Sequence, residues 1–303
     1  MRHTLHAAGV PVLAIMVLAS GCSCDDDGSK GTRDGGSSAP LDADTDDGAN
    51  NGTLDGSGGN GKALDVHVVI TGDNAYGFGY GSTTSLANYF NGIEDNSDDI
   101  FVCSAACDAS TPCAVGACDT FGTCNEDRSG PETYVVPGSA AVAGDYLYVI
   151  AWSDDAVTQG VIGQFSAADG SKVVRTGAST WQVCATGVDY DIPGDDPSES
   201  VINEWLVRCN NGEGLSKGWV GTTANAEHRA LAVLEPPLTE PPQFAPLCRK
   251  PASQAGDAID AEAKWIWFDD DVTDNQSPFV STGDPRGEFY IFRLQISEVL
   301  VIL

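Results

Sequence analysis

The stretch DYLYVIAW, Asp145 to Trp152, decides how the rest of the chain reads. Its β-branched and aromatic residues suit a pleated strand, and apolar side chains fall on both of its faces. A strand apolar on two faces is covered on two sides, so this one belongs in the middle of a sheet. Working outward, Glu132–Val136 precedes it as a shorter strand. After Ser153-Asp154-Asp155, Val157–Phe165 forms another, and Ala168-Asp169-Gly170 turns the chain into Lys172–Arg175. Trp181–Ala185 adds one more.

The flanking regions follow the same pattern. Leu64–Thr71 (LDVHVVIT) alternates as a strand does and runs into the turn sequence Gly72-Asp73-Asn74, then Ala75–Tyr80, where aromatic residues alternate with glycine. Ile100–Cys103 is a short strand. Val201–Cys209 fits a short helix or a strand, and Glu235–Pro246 is too rich in proline for either. Lys264–Phe268 (KWIWF) is a strand, and Glu288–Leu303 is a long strand-like run whose closing VLVIL should dock into the sheet rather than lie exposed. Strands separated by turn residues, with scarcely any amphipathic helix, indicate an all-β antiparallel β-sandwich.

The N-terminus addresses the chain to a membrane surface. Arg2 precedes an apolar run, Ala7–Ala19, broken only by Gly9 and Pro11 and too short to span a bilayer, which takes roughly 20 residues. Ala19-Ser20-Gly21-Cys22 follows, and it resembles a bacterial lipobox, with alanine where a larger aliphatic residue is usual. The resemblance implies a signal peptide over 1–21 and a lipid-bearing Cys22; an ordinary signal peptide with a chance cysteine is the alternative. Residues 22–62 then read as an acidic Gly/Ser/Asp tether, unable to bury enough apolar surface to order itself. A coil of that length spans roughly 35 Å. Residues 63–303 form the β domain.

The net charge is -29. Nine acids face three bases between Ser23 and Lys62, and thirty-five face eleven beyond, so the folded part holds most of the negative charge. Such a surface repels nucleic acid and anionic lipid and favours cation binding. Ten cysteines in an exported chain indicate disulfides. With Cys22 acylated and Cys24 in the tether, eight remain: Cys103, Cys107, Cys113, Cys118 and Cys124 in a cluster, and Cys184, Cys209 and Cys248 dispersed. The cluster sits in a disulfide-rich insertion at about 103–128. If all eight pair, five being odd, at least one bridge joins the cluster to the body. The spacings lack the paired C-x2-C knuckles of a zinc site.

Three segments carry a resemblance to galactose-binding-like sandwiches. VVITGDNAYGFGYG (68–81) looks like their strand-turn-strand, in which an Asp-Asn pair precedes an aromatic strand. The run from YVVPGS to WQVCATG (134–187) resembles the next part, with its glycine-led strand, polar loop and D-G turn. AEAKWIWFDD (261–270) and FYIFRLQI (289–296) resemble the Trp-Ile-Trp and Phe-Arg strands that normally open such domains. The resemblance implies a carbohydrate-binding jelly roll, here in permuted order because the Trp-Ile-Trp strand comes last. Chain termini lying side by side would accommodate that. The loop that usually ends in Asn-Gly reads Tyr80-Gly81-Ser82, so ligand contacts in that loop do not transfer.

Two groups of residues are candidate ligand contacts. Asp73, Asn74 and Tyr76 could hold a sugar between side-chain oxygens and an aromatic face; the alternative is an Asx-type turn bonding its own backbone. Asp154 and Asp155, with Gln159 on the next strand, could contribute to the six to eight oxygens that calcium requires, or could be loop acids bonding backbone N–H groups. Asp269-Asp270-Asp271 with Asp274 and Asn275 lacks the glycine and glutamate of an EF-hand and reads as a solvated loop. Trp152, Trp181, Trp265 and Trp267 suit the core; Trp205 and Trp219 are placed to be exposed. Catalytic signatures are absent: there is no G-x-S-x-G elbow and no H-E-x-x-H, and His67 lies mid-strand.

These observations lead to an expected function: an outer-membrane or cell-surface lipoprotein, membrane-bound through its lipid. Its non-catalytic sandwich would bind carbohydrate or another surface ligand, with no required cofactor and calcium as the one plausible ion. The alternative is a structural or protein-interaction component of the envelope that uses the Cys-rich insertion. A hydrolase is a distant third, and nucleic acid is not an expected partner.

Overall fold

A computed structural model describes residues 62–73, 75–94, 131–152, 158–189, 196–234, 249–250, 259–260, 262–274, 276–280 and 288–303. Cys22, Cys24, the five clustered cysteines and Cys248 lie outside these residues, as do Asn74, Asp154, Asp155 and Asn275.

Among the described residues, eleven strands make two antiparallel sheets: β1 (Val66–Asp73), β2 (Ala75–Gly81), β3 (Leu86–Glu94), β4 (Glu132–Val136), β5 (Tyr146–Trp152), β6 (Gly160–Ala167), β7 (Val173–Arg175), β8 (Gln182–Asp189), β9 (Ala230–Val233), β12 (Ile266–Asp269) and β13 (Glu288–Gln295). Between β9 and β12, β10 (Arg249–Lys250) and β11 (Ile259–Asp260) form a separate parallel pair. The first sheet runs β4-β1-β6-β12-β9, with β7 also on β6; the second runs β3-β2-β5-β13-β8. The chain crosses between sheets from β1 to β2, β3 to β4, β4 to β5, β5 to β6, β7 to β8, β8 to β9 and β12 to β13. The fold is an antiparallel β-sandwich, as the strand pattern implies.

Alternation explains the core. In β2, Tyr76, Phe78 and Tyr80 point inward, where Phe78 meets Tyr134 and Phe165 of the opposite sheet at ring centroids of 5.0 and 6.4 Å. Trp267 of β12 likewise meets Tyr290 and Phe292 of β13. The glycines between the β2 aromatics serve the outer face. Tyr89 of β3 lies across Gly77, and a Cβ there would sit 2.0 Å from its hydroxyl oxygen.

β5 is the central strand of the second sheet, with both faces covered. Leu147, Val149 and Ala151 face the opposite sheet, whereas Tyr148, Ile150 and Trp152 belong to a second cluster on the outer face. That cluster is completed by α1 (Glu199–Asn210), which settles the ambiguous 201–209 segment as a helix. Ser198 caps its first turn through Val201 N, and Ile202, Trp205, Leu206 and Cys209 form one buried stripe. Trp205, read from the sequence as placed for exposure, is therefore buried. Its position on the stripe turns it onto Phe289 of β13, 6.3 Å away edge to face. A disulfide between Cys184 of β8 and Cys209 fastens the helix to the sheet.

The C-terminal run divides. β13 ends at Gln295 and a short 3-10 turn follows. Val299 and Leu300 are buried, but Ile302 and Leu303 are 62 and 71% exposed. The backbone there still pairs, with a bridge between Ala63 and Ile302 and a 2.9 Å bond from Leu64 N to Val301 O. The two ends of the sandwich thus lie side by side.

Candidate functional site

The end of β1, the start of β6 and the end of β12 lie at one end of the sandwich, because the three strands are neighbours in the first sheet. Asp73, the last residue of β1, is buried and accepts a 2.7 Å hydrogen bond from Thr158 Oγ1. Thr158 forms a bridge with Val280, while Gln159 donates from Nε2 to Pro278 O at 2.6 Å and from its backbone to Phe279 O. Asp73 and Gln159 thus fasten the 276–280 segment to the sandwich. Tyr76 is fully buried, its hydroxyl donating to the Glu132 carboxylate and lying 3.4 Å from that of Tyr134. Its ring presents no face to solvent, so it acts in the core rather than as a sugar platform.

The acidic stretch after β12 is built from nested turns. Asp269 Oδ1 accepts from Asp271 N, Asp271 Oδ1 from Thr273 N and Oγ1, and Asp274 Oδ1 from Gln276 N. Each carboxylate satisfies backbone donors that would otherwise need water, the usual work of Asp in turns. The bonds from Thr273 hold the Asp271 carboxyl below its ordinary pKa. Asp269 goes the other way: burial pushes it up, reinforced by the charges of Asp270, Asp274 and Asp271.

The fastened segment forms one wall of a cleft of about 540 Å³ that follows the outer edge of β9. Besides β9 it is lined by Asp269 and Val272, by Ser277, Pro278 and Phe279, and by Thr222, Gly177 and Ser179. That volume falls within the usual range for small-molecule sites. The side-chain hydroxyls of Ser179, Thr222 and Ser277 make no hydrogen bond among the described residues, and Asp269 Oδ2 has none either. The cleft therefore offers three hydroxyls and a carboxylate oxygen beside the apolar Val272, which is 44% exposed.

The sequence did not flag Ser179, Thr222 or Ser277, which sit in unremarkable loops far apart in the chain. Asp269 appeared only as one member of an acidic run. Among the described residues no group of three or more His, Cys, Asp or Glu side chains is placed to hold a metal ion. No helix among them is long and apolar enough to cross a membrane. No family model, curated protein or solved structure matches this chain.

Proposed function

We propose that this chain is an envelope-anchored lipoprotein whose galactose-binding-like sandwich is non-catalytic and binds carbohydrate in the cleft along β9. The supporting observation is the free polar set around that cleft. A sugar presents hydroxyls around its edge and C–H groups on its faces. Ser179, Thr222 and Ser277 can both donate and accept, Asp269 can accept, and Val272 can pack against a ring face. The strained backbone or activated nucleophile of a catalytic centre is not needed for this chemistry. A tether of the composition found between Cys22 and Lys62 would hold such a domain clear of a lipid surface while it samples polysaccharide.

The test is a glycan array followed by calorimetry on the best neutral oligosaccharide, each with and without calcium because Asp154 and Asp155 precede the fastening residues. Asp269→Asn keeps the shape but removes the charge-assisted acceptor. It should weaken binding roughly 10- to 100-fold, the worth of one hydrogen bond to a charged group. An array blank under both conditions, or Asp269→Asn binding with unchanged affinity, would exclude the cleft as the site.

A further inference from the structure

A second group of side chains lies on the outer face of the second sheet, beyond the last turn of α1. Arg293 of β13 is only 9% exposed. Its guanidinium is clamped between two aromatic rings, with Cζ 3.7 Å from the centroid of Trp219 and 4.7 Å from that of Tyr146. Nε donates to Gln182 Oε1 at 2.9 Å and Nη1 to Asn210 Oδ1 at 3.2 Å. The same Asn210 oxygen accepts from Trp219 Nε1 at 2.8 Å, locking the ring in place.

Arg175, Arg208 and Arg229 all pair with Asp or Glu. Arg293, the most buried of the four, has no acidic partner among the described residues, although acids outnumber Lys and Arg by 44 to 15 in the chain. Burial lowers its pKa, as for a charge held by neutral groups alone, yet a guanidinium stays protonated. The C-terminal end of α1 supplies about half a negative charge nearby, which offsets the cation only in part. Nη2 makes no hydrogen bond among the described residues, which leaves one edge of the fork without a protein partner.

From this geometry we infer a second binding site, for the carboxylate of an acidic sugar, centred on Arg293 and flanked by Tyr146, Trp219, Gln182 and Asn210. A fork held rigid by two rings and two amide oxygens is prepared to meet a planar carboxylate in a charge-assisted contact. The amide groups of Gln182 and Asn210 and the indole edge are suited to ring hydroxyls. Because the domain is acidic overall, a polyanion is repelled at long range, so the ligand carries a single uronate at the contact point. This assignment does not depend on the cleft along β9.

The probe is a uronate mono- or disaccharide against the matching neutral hexose, followed by the indole N–H resonances of the full mature chain. At roughly 10 mM, where even a millimolar site is mostly filled, the uronate should shift the Trp219 indole signal and the hexose should not. Added salt should weaken the effect. Arg293→Lys, which keeps the charge but loses the fork, should bind at least tenfold more weakly, while Asp269→Asn should bind the uronate normally. A wild-type Trp219 signal unmoved by the uronate, or equal shifts from both sugars, overturns the inference. That wild-type arm stands even if a variant fails to fold. Loss of uronate binding in Asp269→Asn would overturn it too, by moving the ligand to the cleft.

Discussion

Replacing both cysteines of the Cys184–Cys209 bridge by alanine tests how the helix is held to the sandwich. The bridge closes a sequence separation of 25 residues. Restricting the unfolded chain by a loop of that size is worth about 3.5 kcal/mol at 25 °C. That is roughly a 300-fold change in the folding equilibrium. The helix itself should not detach. Ile202, Trp205 and Leu206 remain packed on Ile150, Phe289 and Ile291, and each such side chain contributes about 1.5–3 kcal/mol through burial. Urea unfolding followed by tryptophan emission should therefore show an earlier single transition, with the far-ultraviolet spectrum in buffer unchanged. A loss below about 1 kcal/mol would mean that the unfolded chain gains little freedom when the bridge is removed. Loss of helix signal without denaturant would mean that the bridge, and not the apolar stripe, docks α1. Either result refutes the reasoning.

Two other consequences follow from buried groups. Burial first, and the Glu132 carboxylate in addition for Tyr76 and Tyr134, hold the hydroxyls of Tyr76, Tyr134 and Tyr148 above the ordinary phenol value. Their folded-state values exceed the unfolded value of about 10, so their stabilisation is intact below that pH and falls away as pH rises above it. An absorbance titration should find these three silent until the protein unfolds in alkali; reversible ionisation of all eight tyrosines near pH 10 in folded protein would contradict this. Gly214 has φ of +83°, and a Cβ there would lie 2.5 Å from the Ala185 carbonyl oxygen. Gly214→Ala should cost at least about 1–2 kcal/mol from the backbone alone, seen as a lower Tm; an unchanged Tm would show that the turn relaxes freely.

How much of this was legible beforehand depends on the range of the interaction. The apolar side chains on both faces of DYLYVIAW are a local pattern; they indicated a central strand, and β5 is one. Where a local pattern fits two structures it cannot choose. Val201–Cys209 suits helix or strand, and its choice came from Ile202, Trp205, Leu206 and Cys209 finding the outer face of the second sheet. Likewise Asp73 and Tyr76 looked available because nothing near them in sequence shows Thr158 or Glu132 arriving from 85 and 56 residues away.

Composition and strand periodicity by themselves determined the all-β class and the acidic character of the chain, because both are carried by residue type and by side chains within a few residues of one another. Tertiary structure alone decided the order of the strands, the partner of Cys184, the cleft along β9 and the cage around Arg293. Those features join residues from separate elements, and such contacts exist only once apolar faces have been buried against each other and the loops between them have been carried to the same end.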